Sequence, residues 1–318
     1  MPERKFFLSS PQVFCLLFFH LLSGMMLFCG GELFPALFAA LFSACVFVAA
    51  SAVCAGFCSS ADLFAAAFGK LGAPLRYTAA FFASLPLART LLAFSAEISS
   101  FYGEQNKLFF APFLALFSCL ALSRGFHRAS RFAELCVFAL AGALLLALFG
   151  GGDGPRLDLS ESALFSGLEA VGASPLFFSL YLRSISRESE KMSNFAKNSA
   201  FHPSPLASGL CAALSSLAVY AFFCFAAQEN ILFSLLSWFF ALARILLLSL
   251  CLADLLAYPE KSEGAKRAFT ASLFCAFWVI FGSVSPGAAS VSGVFAAVLF
   301  PCIVFVALIG TKRTESIR

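Results

Sequence analysis

The stretch GGGDGPRLDLSES, residues 150–162, interrupts an otherwise apolar chain and decides how that chain is divided. Its glycines, proline and acidic residues forbid a continuing helix, so it separates two helical sets. On either side, apolar runs of about 20 residues recur with short polar breaks, the length a helix needs to cross roughly 30 Å of hydrocarbon. Of the 318 residues, 61% are hydrophobic and 12% are charged, and the mean hydropathy is +0.92. Soluble domains are less apolar and about twice as charged. The expectation is an all-α integral membrane protein with no soluble domain between its spans.

Five spans precede the turn, at about 12–29, 33–57, 74–102, 108–122 and 130–149. Five follow it, at about 163–183, 205–226, 231–257, 268–283 and 290–310. The fourth is short, and the third and eighth are long enough to tilt. The first is read as a membrane helix and not as a cleaved signal, because its apolar core is long and more membrane follows. The longest polar connector, residues 183–205, joins spans six and seven on the cytoplasmic side.

Loop charge tests this count, since short cytoplasmic loops retain Lys and Arg. Of the 21 basic residues, Arg89 and Arg244 lie inside spans and Lys107 and Arg156 fall on the outer face, which leaves 17 on the cytoplasmic face. That asymmetry supports an even number of spans with both termini inside. The net charge of +4 then reflects membrane orientation, and no nucleic-acid partner is expected.

Because five is odd, the second set enters the membrane in the opposite sense to the first, as an inverted repeat requires. Repeat one covers about 12–149 and repeat two about 163–310, within a single membrane domain. Span one then corresponds to span six, and span three to span eight. Both first helices carry residues that interrupt a helix: Ser23 and Gly24 in span one, and Gly172, Ser174 and Pro175 in span six. Proline removes a backbone donor and glycine weakens the turn, so both helices are expected to break near the midplane and release backbone groups. Such groups are tolerated in a membrane only where they line a cavity or are buried in protein.

Arg89 and Arg244 lie near the middle of the equivalent spans three and eight. An arginine there costs at least about 2.5 kcal/mol on insertion scales, so each needs a partner or a water-filled cavity. Candidate charge partners are Glu97, Glu134, Glu169 and Asp254. Two readings stay open for each arginine: an anchor for an anionic ligand group such as a carboxylate, or an ion pair that locks helices, for instance Arg89 with Glu169. Glu134, close to Arg128 and Arg131, fits a cytoplasmic gate or a structural pair.

The 12 cysteines fall within or at the ends of apolar runs without a CxxC pair, and the three histidines are scattered. Cysteine here acts as a small hydrophobe, and neither metal nor cofactor is expected. No nucleophile and base pair or phosphate loop is visible, so the expectation is that the chain is not an enzyme.

Residues 9–28, SSPQVFCLLFFHLLSGMMLF, resemble the opening segment of the spore permease family, the B subunit of bacterial spore germinant receptors. SRGFHRASRFAEL, residues 123–135, is similar to that family's basic turn leading into a span with an acidic residue. The family belongs to the amino acid/polyamine/organocation superfamily, and the resemblance implies the LeuT-type five-plus-five fold with helices 1 and 6 broken. It further implies a pocket for a small nutrient, often an amino acid, between spans one, three, six and eight. Ser23, Gly24, Arg89, Gly172, Ser174 and Arg244 are the positions nearest such a pocket. The implied surroundings are the lipid bilayer of the spore inner membrane and companion germinant-receptor subunits. The alternative is an amino acid permease of the same superfamily, driven by H⁺ or Na⁺, for which the inner half of span eight offers only Ser249 and Asp254 as ion-site residues.

Overall fold

The computed structural model describes residues 8–54, 60–103, 109–122, 126–148, 154, 156, 161–172, 177, 205–225, 231–256, 270, 273–274 and 276–278. Nine α-helices lie among them: α1 Ser10–Phe28, α2 Leu33–Cys54, α3 Ser60–Phe68, α4 Gly72–Phe101, α5 Ala111–Leu122, α6 Phe126–Leu148, α7 Glu161–Val171, α8 Pro205–Phe225 and α9 Ile231–Leu256. The only β contact among the described residues is an isolated bridge between Glu32 and Arg156. Six helical segments are long and apolar enough to cross a membrane, namely Ser10–Phe28, Leu33–Ala52, Leu63–Phe101, Ser130–Leu148, Leu206–Phe225 and Ile231–Leu256. The described residues are therefore almost entirely helical, and the molecule is a multi-pass membrane protein. The predicted spans nine and ten lie almost entirely outside the described residues, as does the second half of span six.

α1 is the axis of the bundle. It packs against α6, α7, α8 and α9, while α2 lies on α7 and α8, and α4 on α9. Its residues from Leu16 to Met25 are all buried, so an apolar surface all round faces protein and not lipid. Its start is fixed by Pro11 in the first turn and by Gln12, whose Oε1 accepts the Ser9 backbone N–H at 3.0 Å. The Gln12 amide also donates to Glu134 Oε1 on α6 at 3.2 Å.

Two features depart from the sequence reading. The break expected at Ser23 and Gly24 is absent, because α1 is helical without interruption from Ser10 to Phe28. Gly24 is a point of close approach: a Cβ there would overlap Arg244 Nη1 and the Ala170 carbonyl. The second departure is α3, which lies between the expected spans two and three. Leu63 and Phe64 bury themselves in the core, and Gly69 at φ +56° turns the chain sharply into α4. The short fourth span is observed as α5, whose 12 residues reach only about 18 Å.

One end of the bundle gathers several chain segments. Gly31 O accepts from Arg156 N at 3.0 Å, and Arg156 O accepts from Leu33 N at 2.8 Å. Gly31 N donates to Tyr220 Oη at 3.0 Å. The α1–α2 turn, the segment before α7 and the end of α8 thus share one end, as the alternating direction of the spans requires.

Candidate functional site

α7 stops at Val171, and Gly172 adopts φ +75°. Glycine suits this left-handed position because it has no Cβ to clash with the following carbonyl. Gly172 N donates to Leu168 O at 3.1 Å, closing the last turn. In a continuing helix the Val171 carbonyl would bond to the N–H of residue 175, but that residue is Pro175, which has none. α7 thus ends at the glycine where a break in span six is expected, while Ser174 and Pro175 lie outside the described residues.

Carbonyls at a helix end need partners from elsewhere. Arg244, projecting from the middle of α9, supplies most of them. Its Nη2 donates to Glu169 O at 2.7 Å, and its Nη1 to Ala170 O at 2.6 Å and to His20 O on α1 at 2.9 Å. Nε donates to Thr90 Oγ1 on α4 at 3.1 Å. The third carbonyl, of Val171, accepts from His20 Nε2 at 2.9 Å. A buried guanidinium thus caps α7, where the helix dipole favours positive charge. Its central carbon lies 5.5 Å from the Phe28 ring, which adds a cation–π contact.

Arg244 is completely buried, yet the partners named are neutral oxygens. Five donors in a rigid fork make this geometry available to arginine and not to lysine. The room comes from glycine on both sides. Gly24 leaves space on α1, and a Cβ at Gly172 would meet Nη2 at 3.1 Å and His20 Cε1 at 3.3 Å. Thr90 is held in turn by its hydroxyl donating to Pro86 O at 2.8 Å.

Arg89 lies next to Thr90 but turns elsewhere. Its Nη2 pairs with Glu169 Oε1, and the two side chains remain 30% and 24% exposed. Gly24, Arg89, Gly172 and Arg244 are therefore brought to one junction, with Glu169 contributing its carboxylate to one arginine and its carbonyl to the other. Glu134 is not at this junction; it meets α1 at Gln12. Asp254 lies ten residues beyond Arg244 on α9, about 15 Å along the helix.

Ser23 and Glu97 belong to a cavity of about 190 Å³ at the end of the bundle where α1 finishes. Tyr220, Phe223 and Phe233 form apolar walls, and Ser234 and Ser237 add hydroxyls. Glu97 Oε1 accepts the indole N–H of Trp238 at 3.2 Å. Ser23 is 2% exposed, and among the described residues its hydroxyl has no hydrogen-bond partner.

His20, Thr90, Tyr220 and Trp238 were not foreseen. The first had a readable signal: a lone histidine in an apolar run, one turn before Gly24, needs a polar partner once buried. For the others, polar atoms in apolar helices are too common to single out without the packing. No protein-family model matches the chain, and no curated protein matches it.

Proposed function

We propose that this protein receives a small nutrient, an amino acid in the first instance, within a ten-span, five-plus-five membrane fold. In this reading it acts as the membrane subunit of a spore germinant receptor. Its termini are cytoplasmic, and companion subunits read its state. The observation that carries the reading is the end of α7 at Gly172, capped by Arg244 and His20, which project from α9 and α1. A helix interrupted within the span and held by neighbouring helices is how broken-helix transporters build a ligand site.

Helix pairing supports the inverted repeat. Exchanging the two halves turns the contact of span one with span seven into that of span six with span two, and both occur, as α1 on α8 and α7 on α2. The same exchange relates span four on span eight to span nine on span three. α5 packs on α9, and Trp278 donates to Phe81 O on α4 at 2.9 Å. The end of α7 at Gly172 has no counterpart in α1, which is continuous.

The ligand carboxylate in this proposal competes with Glu169 for Arg89, the partly exposed member of the arginine pair. The test uses the full chain in proteoliposomes with radiolabelled L-amino acids. Saturable binding without uptake is expected of a receptor subunit. Uptake that runs down an imposed H⁺ or Na⁺ gradient would instead favour the permease, and absence of saturable binding would overturn both.

A further inference from the structure

The cavity at the end of α1 has a chemistry of its own. It holds one carboxylate, Glu97, and among the described residues no basic side chain pairs with it. Ser23 lines the same space, and its buried hydroxyl has no hydrogen-bond partner among the described residues. Leaving such a group unsatisfied costs about 1–3 kcal/mol, which a bound donor would recover. Met26 and Leu27 place the last turn of α1 on the wall, and carbonyls at a helix C-terminus favour positive charge. Tyr220, Phe223 and Phe233 add aromatic faces, which attract organic cations.

We infer that this cavity binds the ammonium group of a small organic amine, with Glu97 as its counter-charge, Ser23 as a hydrogen-bond acceptor and the aromatic rings around its alkyl part. Size separates this from an inorganic ion site. A volume of about 190 Å³ is many times the roughly 10–15 Å³ that admits a single water, far more than a bare cation fills. Arg89 lies eight residues before Glu97 on α4, about 12 Å of helix rise, and is not among the residues that line this cavity. The ammonium site is therefore distinct from the carboxylate site proposed at Arg89. It extends the functional reading by naming a second class of ligand, and it rests on that reading only for its purpose.

Trp238 is a built-in reporter, because its indole bonds to Glu97 and the chain has only 2 tryptophans. Full-length Trp278→Phe protein in detergent isolates its emission. Butylammonium should change that emission saturably, whereas butanol should not. Glu97→Gln retains an oxygen for the indole N–H but loses the charge, and should weaken butylammonium binding by at least about tenfold. An equal response in Glu97→Gln overturns the inference. So does a response to Na⁺ that butylammonium fails to compete with, or no saturable response in protein whose circular dichroism and melting match the parent. Loss of amino acid binding with butylammonium binding intact would remove the functional reading and leave this site standing. The converse would remove only the site.

Discussion

Arg244 and Arg89 project from helices α9 and α4, which pack on one another, and both engage Glu169, yet their surroundings differ in kind. Arg244 is fully buried and bonded to neutral oxygens. Arg89 is partly exposed and paired with a carboxylate. The contrast teaches that a charge is accommodated in an apolar bundle by two separate means. One saturates its donors with the carbonyls of a helix end, and the other supplies a counter-charge where solvent still reaches. The first fixes structure, because moving Arg244 would orphan several backbone groups at once. The second is exchangeable, because a ligand carboxylate can replace Glu169 without unsatisfying the backbone.

The largest expected effect comes from removing the saturated member. Arg244→Met orphans the Glu169 and Ala170 carbonyls, while the Thr90 hydroxyl keeps its bond to Pro86 O, and at about 1 kcal/mol or more for each orphaned carbonyl the loss is roughly 2 kcal/mol or greater. Melting of detergent-extracted protein should fall well below the parent, with Arg244→Lys intermediate because a point charge with three donors covers fewer acceptors. Parent-like melting of Arg244→Met would mean that α7 ends satisfied without the arginine.

The legibility of these two residues in the sequence was unequal. That both arginines sit mid-helix, and that span six stops at a glycine shortly before a proline, follows from the residues alone, because apolar run length and missing donors are local properties. For Arg89 the residues leave two readings open, an ion pair with Glu169 or a ligand anchor. That Arg244 would bond to carbonyls was not legible, since backbone acceptors have no sequence signature and only three-dimensional packing brings a helix end to a side chain. Gly24 shows the same limit in reverse. A glycine that interrupts a helix and one that admits a neighbour are the same letter, and only the guanidinium lying against α1 tells them apart.

A smaller effect is expected at the exchangeable member. Arg89→Met leaves the Glu169 carboxylate close to Arg244, whose Nη2 is bonded to the same residue's carbonyl, so its charge stays partly compensated. The pair is also exposed enough to be screened, and its loss should cost about 1 kcal/mol. Adding Glu169→Gln should return stability to near the parent, whereas amino acid binding should be lost in both variants. Recovery of stability and binding together in the double variant would make Arg89 a purely structural partner.

The smallest effect has the opposite sign and isolates what neither arginine reports. Ser23 lies one residue before Gly24, on the cavity side of α1, and its buried hydroxyl has no partner among the described residues. Around Arg244 the α7 carbonyls are bonded, so any deletion there is a loss; at Ser23 the polar atom is itself the liability. Ser23→Ala removes that atom, keeps the helix, and replaces a residue of middling helix propensity by the best one. The ligand-free protein should therefore melt at or above the parent, by up to about 1 kcal/mol of added stability. If the hydroxyl is there to accept from an ammonium group, the same variant should bind butylammonium several-fold more weakly, so that stability and affinity move apart, as they do where a site retains an unsatisfied group for its ligand. The two measurements are melting without ligand and the Trp238 titration in the Trp278→Phe background. A destabilised Ser23→Ala would mean that the hydroxyl is satisfied within the fold. Unchanged stability with unchanged affinity would leave it a bystander on the cavity wall.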